Sequence, residues 1–454
     1  MSATTVMEAT SVSPGEGVTD VLNRSAVERL AENEPLWLRE RRLHAWDVYE
    51  RTPLPTTRLE EWRYTDLREK LRLDAMGLGS TDPLPDDPAA WPARLREAMD
   101  EDHEASGHLV LVDGAVVHAD VREDLARHGV VLTSLREAVE RHGELLAEHL
   151  ATQAVPPEEG KFAALNAALW TDGVFLYVPR GVRLEHPVRV TRWVGEAGAA
   201  FFSRTLIVAE PLSQVSYVEE ILSDDFEAPT LSSSAVEVMA RDGAQVQYVA
   251  LQRLGRGAFY QSQQRTLAGR DSTLDTLNVN LGASTSRVDL NARLLGPGSN
   301  SDMLGLYFGD ADQHFDHNTS QDHVAPNSRS DLLYKGALDG RSRAAFRGII
   351  RVHPGAQQTD AYQTNRNLLL SQEARADSLP NLEIEADDVK CSHAATVGQL
   401  DEELLFYLRS RGIDQVQAER LVVLGFLGEV LSRLPLGGVS QKVTKAIVSK
   451  LRHA

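Results

Sequence analysis

From Thr171 onward the chain is cut into short apolar segments by polar turns that recur at regular intervals, and this regularity narrows the fold more than any other feature. One corresponding turn position falls at Pro211, Asp242, Arg270 and Pro297, with separations of 31, 28 and 27 residues. The turns continue at Ala311, Pro326, Gly340 and Pro354, now 14, 15, 14 and 14 residues apart. The second spacing is half the first, as expected if one repeat holds two strand–turn units. A repeat of roughly 20–50 residues marks a solenoid. A single coil cannot bury its apolar face, so neighbouring coils stack into one continuous core. The segments between turns, such as FFSRTLIVAEPLSQVSYVEEI and SSAVEVMARDGAQVQYVALQ, alternate in polarity and are rich in β-branched residues, which is strand patterning. Strands of about four to six residues with Gly and Asn corners predict a mainly β protein built on a β-helix over residues 171–392. A long antiparallel sandwich is the alternative, but its turns would recur every 8–12 residues or so.

Helical patterning flanks this core. Residues 20–170 predict a mainly helical N-terminal domain, with Asp20 or Asn23 capping the first helix. Trp62 and Tyr64, with Leu59, Leu67 and Leu71, are expected to dock that region on the rest. HLVLVDGAVV at 108–117 reads as strand–turn–strand around Asp113-Gly114. Residues 1–19 carry neither a basic nor an apolar stretch of the signal-peptide kind and predict a disordered tail. Residues 393–454 predict a C-terminal helical domain. Asp401 and Asp414 are expected N-caps, and Gly412 the residue that ends the first of these helices. The helix QVQAERLVVLGFLGEVLSRL is apolar on more than one stripe. Such a helix is buried, or half buried and half docked on a partner. Its place near the C-terminus favours docking, through Leu421, Leu424, Phe426, Leu427 and Val430. The last helix, SQKVTKAIVSKLR, is basic and expected to be solvated on its lysine face.

Charge and motifs remove several classes of function. The net charge of −19 argues against a nucleic-acid or anionic-membrane surface, since phosphate binding needs a basic face. No apolar run approaches the roughly 18 residues of a membrane span. The sequence has no G-x-x-x-x-G-K-[ST], G-x-S-x-G or H-E-x-x-H motif. Cys391 is the only cysteine, so no internal disulfide forms, which fits a reducing cytoplasm. A cluster of iron and sulfide usually needs about four protein ligands, so this chain alone cannot hold one and could at most share it. His393 lies two residues beyond Cys391. On a strand the two would face one way, pairing a thiol with an imidazole, ligands that suit iron, zinc or copper. Within DQHFDHNTSQDH, strand alternation puts His314 and Asp316 on one face and His317 on the other. His314, His317 and His323 are read as hydrogen-bonding residues at coil corners, and Gln357, Gln358, Gln363, Asn365 and Asn367 as side-chain ladders along the solenoid.

Three stretches carry a resemblance: ADDVKCSHAATVGQLDEELLFYLRSRGI, RLEEWRYTDL at 58–67, and SRAAFRGIIRVHPGAQQTDAYQTNRNLLLS at 342–371. They closely resemble the SufD branch of the SufB/SufD family, components of the SUF iron–sulfur cluster assembly machinery. The likeness is densest from about residue 300 to 435. It implies a right-handed parallel β-helix and a non-catalytic scaffold that pairs with a SufB-like paralogue through the solenoid. It also implies that the C-terminal helices bind a SufC-like ABC ATPase, to which the ATPase activity belongs. No tightly bound cofactor is implied, only iron or a transient iron–sulfur cluster shared with SufB. His393 matches the family's interface histidine and Cys391 its neighbouring cysteine. Ala394 stands where many relatives have Gly, a change that matters only if that backbone has positive φ. A homodimer in the absence of SufB is also expected. The alternatives are a SufB-type subunit carrying the cluster proper, disfavoured by the single cysteine, and a β-helix carbohydrate-active enzyme.

Overall fold

The computed structural model describes residues 20–80, 87–99, 104–436 and 438–451; the tail predicted at 1–19 lies outside them. From Val188 on, the chain alternates strand by strand between two sheets. One sheet stacks Ala199–Ala209, Thr230–Ala240, Ala258–Ala268, Thr285–Leu294, His314–His323, Arg343–Val352 and Arg375–Ile384. The other runs through Gln214–Leu222, Gln245–Arg253, Thr273–Asn280, Asn300–Gly309, Arg329–Leu338 and Asp360–Leu369 to Lys390–Gln399. All these pairings are parallel. The result is the expected β-solenoid, of about eight turns among the described residues.

The turns that revealed the repeat stack on one another. At one corner Leu212, Asp271 and Asn327 take left-handed φ values of 64°, 53° and 56°, and Gly243 and Gly298 values of 67° and 75°. Each donates its backbone N–H to the next coil: Leu212 to the Asp242 carbonyl at 3.0 Å, Gly243 to Arg270 at 2.8 Å, Asp271 to Pro297 at 3.0 Å, and Gly298 to Pro326 at 3.3 Å. The acceptors are the very positions picked from the sequence. In the next coil the acceptor is Gln357, bonded by Asn327 at 2.9 Å, so the column passes three residues beyond Pro354. Ala311 and Gly340 stack at the opposite corner, where Arg341 donates to the Ala311 carbonyl at 2.7 Å. The solenoid strands from Ala199 on hold 8 to 11 residues, longer than the four to six expected. Corners this tight leave most of each half-repeat to the strand.

Helices cover the outer face of each sheet. Leu36–Arg51 and Lys161–Leu169 lie over the first, and Thr230–Ala240 and Ala258–Ala268 are buried along their whole length. Buried on both faces, such strands lose the in–out alternation of a half-exposed sheet. Trp62, Leu67 and Leu71 join this core, whereas Leu59 and Tyr64, expected beside them, remain exposed. The Arg287 guanidinium sits 3.6 Å above the Trp62 ring and donates to the Glu61 carbonyl at 2.8 Å, so a buried cation clamps this segment to the solenoid. The N-terminal region also supplies strands. Gly107–Val112 and Ala115–Val121 form the expected hairpin through Asp113 and Gly114, both at positive φ, and the first of the two pairs with Val188–Trp193. Asn23 caps the first helix, accepting from the Ala26 N–H.

Over the second sheet, Gln415–Arg433 and Val439–Lys450 press Val423, Leu427, Val430, Leu431, Val443 and Ile447 onto Val249, Leu277, Leu304, Leu306, Phe308 and Leu333. Lys335, nearly buried, donates to the Phe426 carbonyl at 3.0 Å and pairs with Glu429. Arg433 reaches both Asp302 and Asp331 at 2.9 Å. Asp401 and Asp414 accept from first-turn N–H groups and Gly412 takes φ 87°, as the sequence predicted. No helix among the described residues is long and apolar enough to cross a membrane.

Candidate functional site

The solenoid ends on two strands, Arg375–Ile384 and Lys390–Gln399, each at the edge of its sheet. Both are largely exposed, in contrast to the buried strands beneath. Cys391 and His393 lie on the second, so the ladder continues past residue 392 and the first C-terminal helix begins at Glu402. Their register partners one coil down are Ala361 and Gln363, both buried. Residues two apart share a face, so thiol and imidazole look into the mouth of the solenoid, where no further coil covers them. Cys391 is half-buried and packs beside Ile350, Val352, Ala356, Ala361 and Ala386. That burial pushes its thiol above the ordinary value, and a backbone hydrogen bond from Ala361 only partly opposes the shift. A protonated thiol is a poor nucleophile and ligand until something displaces the proton. His393 is exposed. Ala394 is not among the positive-φ residues, so its methyl group is tolerated. Among the described residues no three His, Cys, Asp or Glu side chains converge as a metal site. Cys391 and His393 therefore place one thiol and one imidazole side by side without a third such group.

The edge has a polarity of its own. The Lys390 N–H donates inward to Thr359 at 2.8 Å. In a parallel ladder alternate residues direct their N–H and C=O to opposite sides, so Cys391, His393, Ala395 and Val397 offer theirs to the free edge. Leu382, Ile384 and Val397 remain exposed beside it.

His314, His317 and His323 are buried, each within hydrogen-bond distance of a neighbouring side chain. His314 lies 2.8 Å from the Thr65 hydroxyl, which donates to Asp316 at 2.5 Å, and Arg287 also donates to Asp316 at 2.5 Å. His317 faces the interior, stacked 4.6 Å from Tyr307 and 3.2 Å from the Asn280 amide. His323 is held by Ser328 and Ser330, each at 2.7 Å. Burial holds all three neutral and depresses them to about 3 for His314 and His317 and about 4 for His323; nearby cations add to the effect at His314 and His317. Asn365 and Asn367 bond each other at 2.8 Å and meet the Tyr307 hydroxyl, while Gln357 accepts from the Asp388 N–H at the corner. A pH dependence follows. An unfolded chain protonates these histidines near pH 6.5, whereas the fold refuses the proton until about pH 3–4. Their contribution is complete above about 6.5 and falls as pH drops below it, by up to about 1.4 kcal/mol per unit for each. The urea midpoint should therefore decline between pH 6.5 and 5, with Asp113 and Asp275, which burial raises to about 6, offsetting part of the loss in the same window, and the decline should flatten in His323→Gln. A midpoint constant over that window would contradict the buried neutral state.

The expected docking face requires correction. Leu427 and Val430 are fully buried against the solenoid and cannot meet a partner; they fasten the helix down. Leu424 and Phe426 are partly buried on the same core. Of the five, Leu421 is exposed, at 50%. The exposed apolar cluster lies instead on the preceding helix, Glu402–Ser410, and the start of the next: Leu404, Phe406 at 73%, Tyr407, and Val416 at 68%. The sequence carried a signal for it, since the unbroken LLFYL run cannot place all five side chains against one surface.

These features define a class: a two-sheet parallel β-solenoid, helix-clad on both outer faces, with a thiol and an imidazole on its free edge strand. The family model for the SUF system FeS cluster assembly SufBD core domain matches residues 192–426, and that for the SufBD protein N-terminal region matches residues 20–190. The chain belongs to the SufB/SufD family of SUF iron–sulfur cluster assembly proteins. It is 32% identical to the iron–sulfur cluster assembly protein SufD of Bacillus subtilis, over 92% of this chain and 95% of the relative. It is 26% identical to SufB of the same organism, over 91% of this chain and 90% of the relative. A SufBD family protein of Staphylococcus haemolyticus is 28% identical over 92% and 90%.

Proposed function

We propose that this chain is a non-catalytic scaffold subunit that pairs by its free solenoid edge with a SufB-like paralogue and there contributes His393, with Cys391 beside it, to a nascent iron–sulfur cluster. The observation that carries this reading is the placement of the chain's only thiol and an exposed imidazole on the free strand Lys390–Gln399. The cluster is cargo. A partner's thiolates would complete the set of about four ligands, with imidazole in one place as in Rieske-type centres. Unpaired edge strands are templates for pairing with another chain, and the exposed Leu382, Ile384 and Val397 add apolar area beside the edge. The same edge would join two copies of this chain when no paralogue is present. The C-terminal surface around Phe406 and Tyr407 would hold an ABC-type ATPase of the SufC kind. Its ATP-driven dimerisation would move the paired solenoids and expose the site. The reducing cytoplasm suits such a cluster and the free thiol.

Ala395→Pro tests the pairing. Its N–H faces the free edge, where proline removes a donor without breaking the inner ladder. The variant should fold, with unchanged circular dichroism, yet retain little SufB-like partner on co-purification. Undiminished retention by the folded variant would exclude pairing along this strand.

A further inference from the structure

Directly beneath His393, on the strand Asp360–Leu369, lies Gln363. Its side chain is fully buried, yet neither the amide nitrogen nor the amide oxygen has a hydrogen-bond partner. Among the described residues it is the only side chain with both heteroatoms unpaired in this way. Buried amides are ordinarily satisfied, and polar neighbours lie close by. Asn365 and Asn367, further along the strand, bond to each other and to Tyr307, but leave Gln363 out. Space for the amide is made by Gly348 on the opposite sheet, where a Cβ would come within 2.5 Å of its amide atoms. By alternation the facing edge strand offers Ala376, Ser378, Pro380 and Leu382 to the mouth, none of them charged. Residues opposite one another on neighbouring strands have Cβ atoms about 5 Å apart, within reach of an amide and an imidazole.

We propose that Gln363 is a positioning residue for His393: its buried amide, which in this structure lies against Gly348 and bonds neither ring nitrogen, turns to hydrogen-bond one nitrogen of the imidazole and thereby decides which nitrogen is turned outward to the incoming iron or cluster. This rests on the reading of His393 as a ligand. A ligating histidine usually gives its second nitrogen to a fixed partner, which sets tautomer and ring orientation. His393 has no such partner on its own strand, and Gln363 has no other use for its amide. The polar interior of the solenoid thus ends in an unsatisfied amide on the register position directly beneath His393.

The test reads the His393 ring directly, in the isolated full-length chain. With histidine labelled with nitrogen-15, the ring signals assigned through His393→Ala report the ratio of the two neutral tautomers. Wild type should favour one tautomer strongly. Gln363→Leu should return the ratio toward that of free histidine, and Gln363→Glu, which only accepts, should fix the ring N–H toward residue 363. Gly348→Ala, which displaces the amide without removing it, should also shift the ratio, and it serves if the residue 363 variants fail to fold. In the reconstituted complex, Gln363→Leu should lower iron loading by about 10-fold or more, the usual effect of removing a ligand's supporting partner. An unchanged tautomer ratio in every folded variant overturns the proposal, whatever happens to the cluster. A shifted ratio together with full cluster loading in His393→Ala would keep the contact but remove the ligand role of His393, so the two failures are distinguishable.

Discussion

His393→Ala should yield a folded chain that still joins its partners and yet carries almost no iron or sulfide. The side chain is exposed on an edge strand, so its loss leaves no interior cavity, and surface changes of this kind usually alter stability by no more than about 0.5 kcal/mol. Cluster loading is another matter. Removing even a supporting partner of a ligand costs about 10–100-fold in affinity, and removing the ligand itself should cost at least that. Cys391→Ser should do less, because burial holds the thiol protonated and its packing beside Ile350 and Val352 accounts for much of its role. The complex is reconstituted anaerobically and scored for iron, sulfide and visible absorption. Wild-type values in an intact His393→Ala complex would leave His393 a structural residue.

The second large effect separates docking from folding at the C-terminus. Phe406→Asp with Tyr407→Asp alters side chains that are 73% and 54% exposed, so solenoid and melting temperature should be unaffected. Burying each against a partner is worth roughly 1.5–3 kcal/mol, so the double variant should weaken ATPase binding by about 100-fold or more. Leu427→Asp should behave differently. It places a charge where the side chain is fully buried against the solenoid, a change that costs on the order of 4 kcal/mol or more. Loss of ATPase binding in that variant would accompany loss of the helix from the solenoid and would show nothing about docking. Retained binding by the folded Phe406/Tyr407 variant would refute the proposed surface.

How much of this was legible in the sequence depended on how local each determinant is. The solenoid was readable because its corners recur. Asp242, Arg270, Pro297 and Pro326 stand out as turns in the sequence, and they are the residues whose carbonyls accept the corner hydrogen bonds. Caps were readable for the same reason, since Asn23, Asp401 and Asp414 act on N–H groups two or three residues away. Strand length was misjudged because polar residues inside the strands, such as Gln261 and Ser262 in Ala258–Ala268, look like turn residues in one dimension but are buried, Ser262 facing the solenoid interior and Gln261 the helix-clad side. The burial of Leu427 and Val430 was not legible for a related reason. The long helix is apolar on several sides, and nothing local tells which stripe the distant strands around Leu304 and Leu333 will claim. The pairing of Gln363 with His393 is set by strand register across 30 residues and became visible only once the coils were stacked.

The central claim is that a nitrogen of this chain binds the nascent cluster. It can be read directly from the reduced complex by pulsed electron paramagnetic resonance, with this chain alone carrying histidine labelled with nitrogen-15 and the partners unlabelled. A hyperfine coupling from nitrogen-15 on the cluster signal, absent when the labelled chain carries His393→Ala, is the predicted result. A fully loaded cluster whose spectrum shows no nitrogen-15 coupling would contradict it.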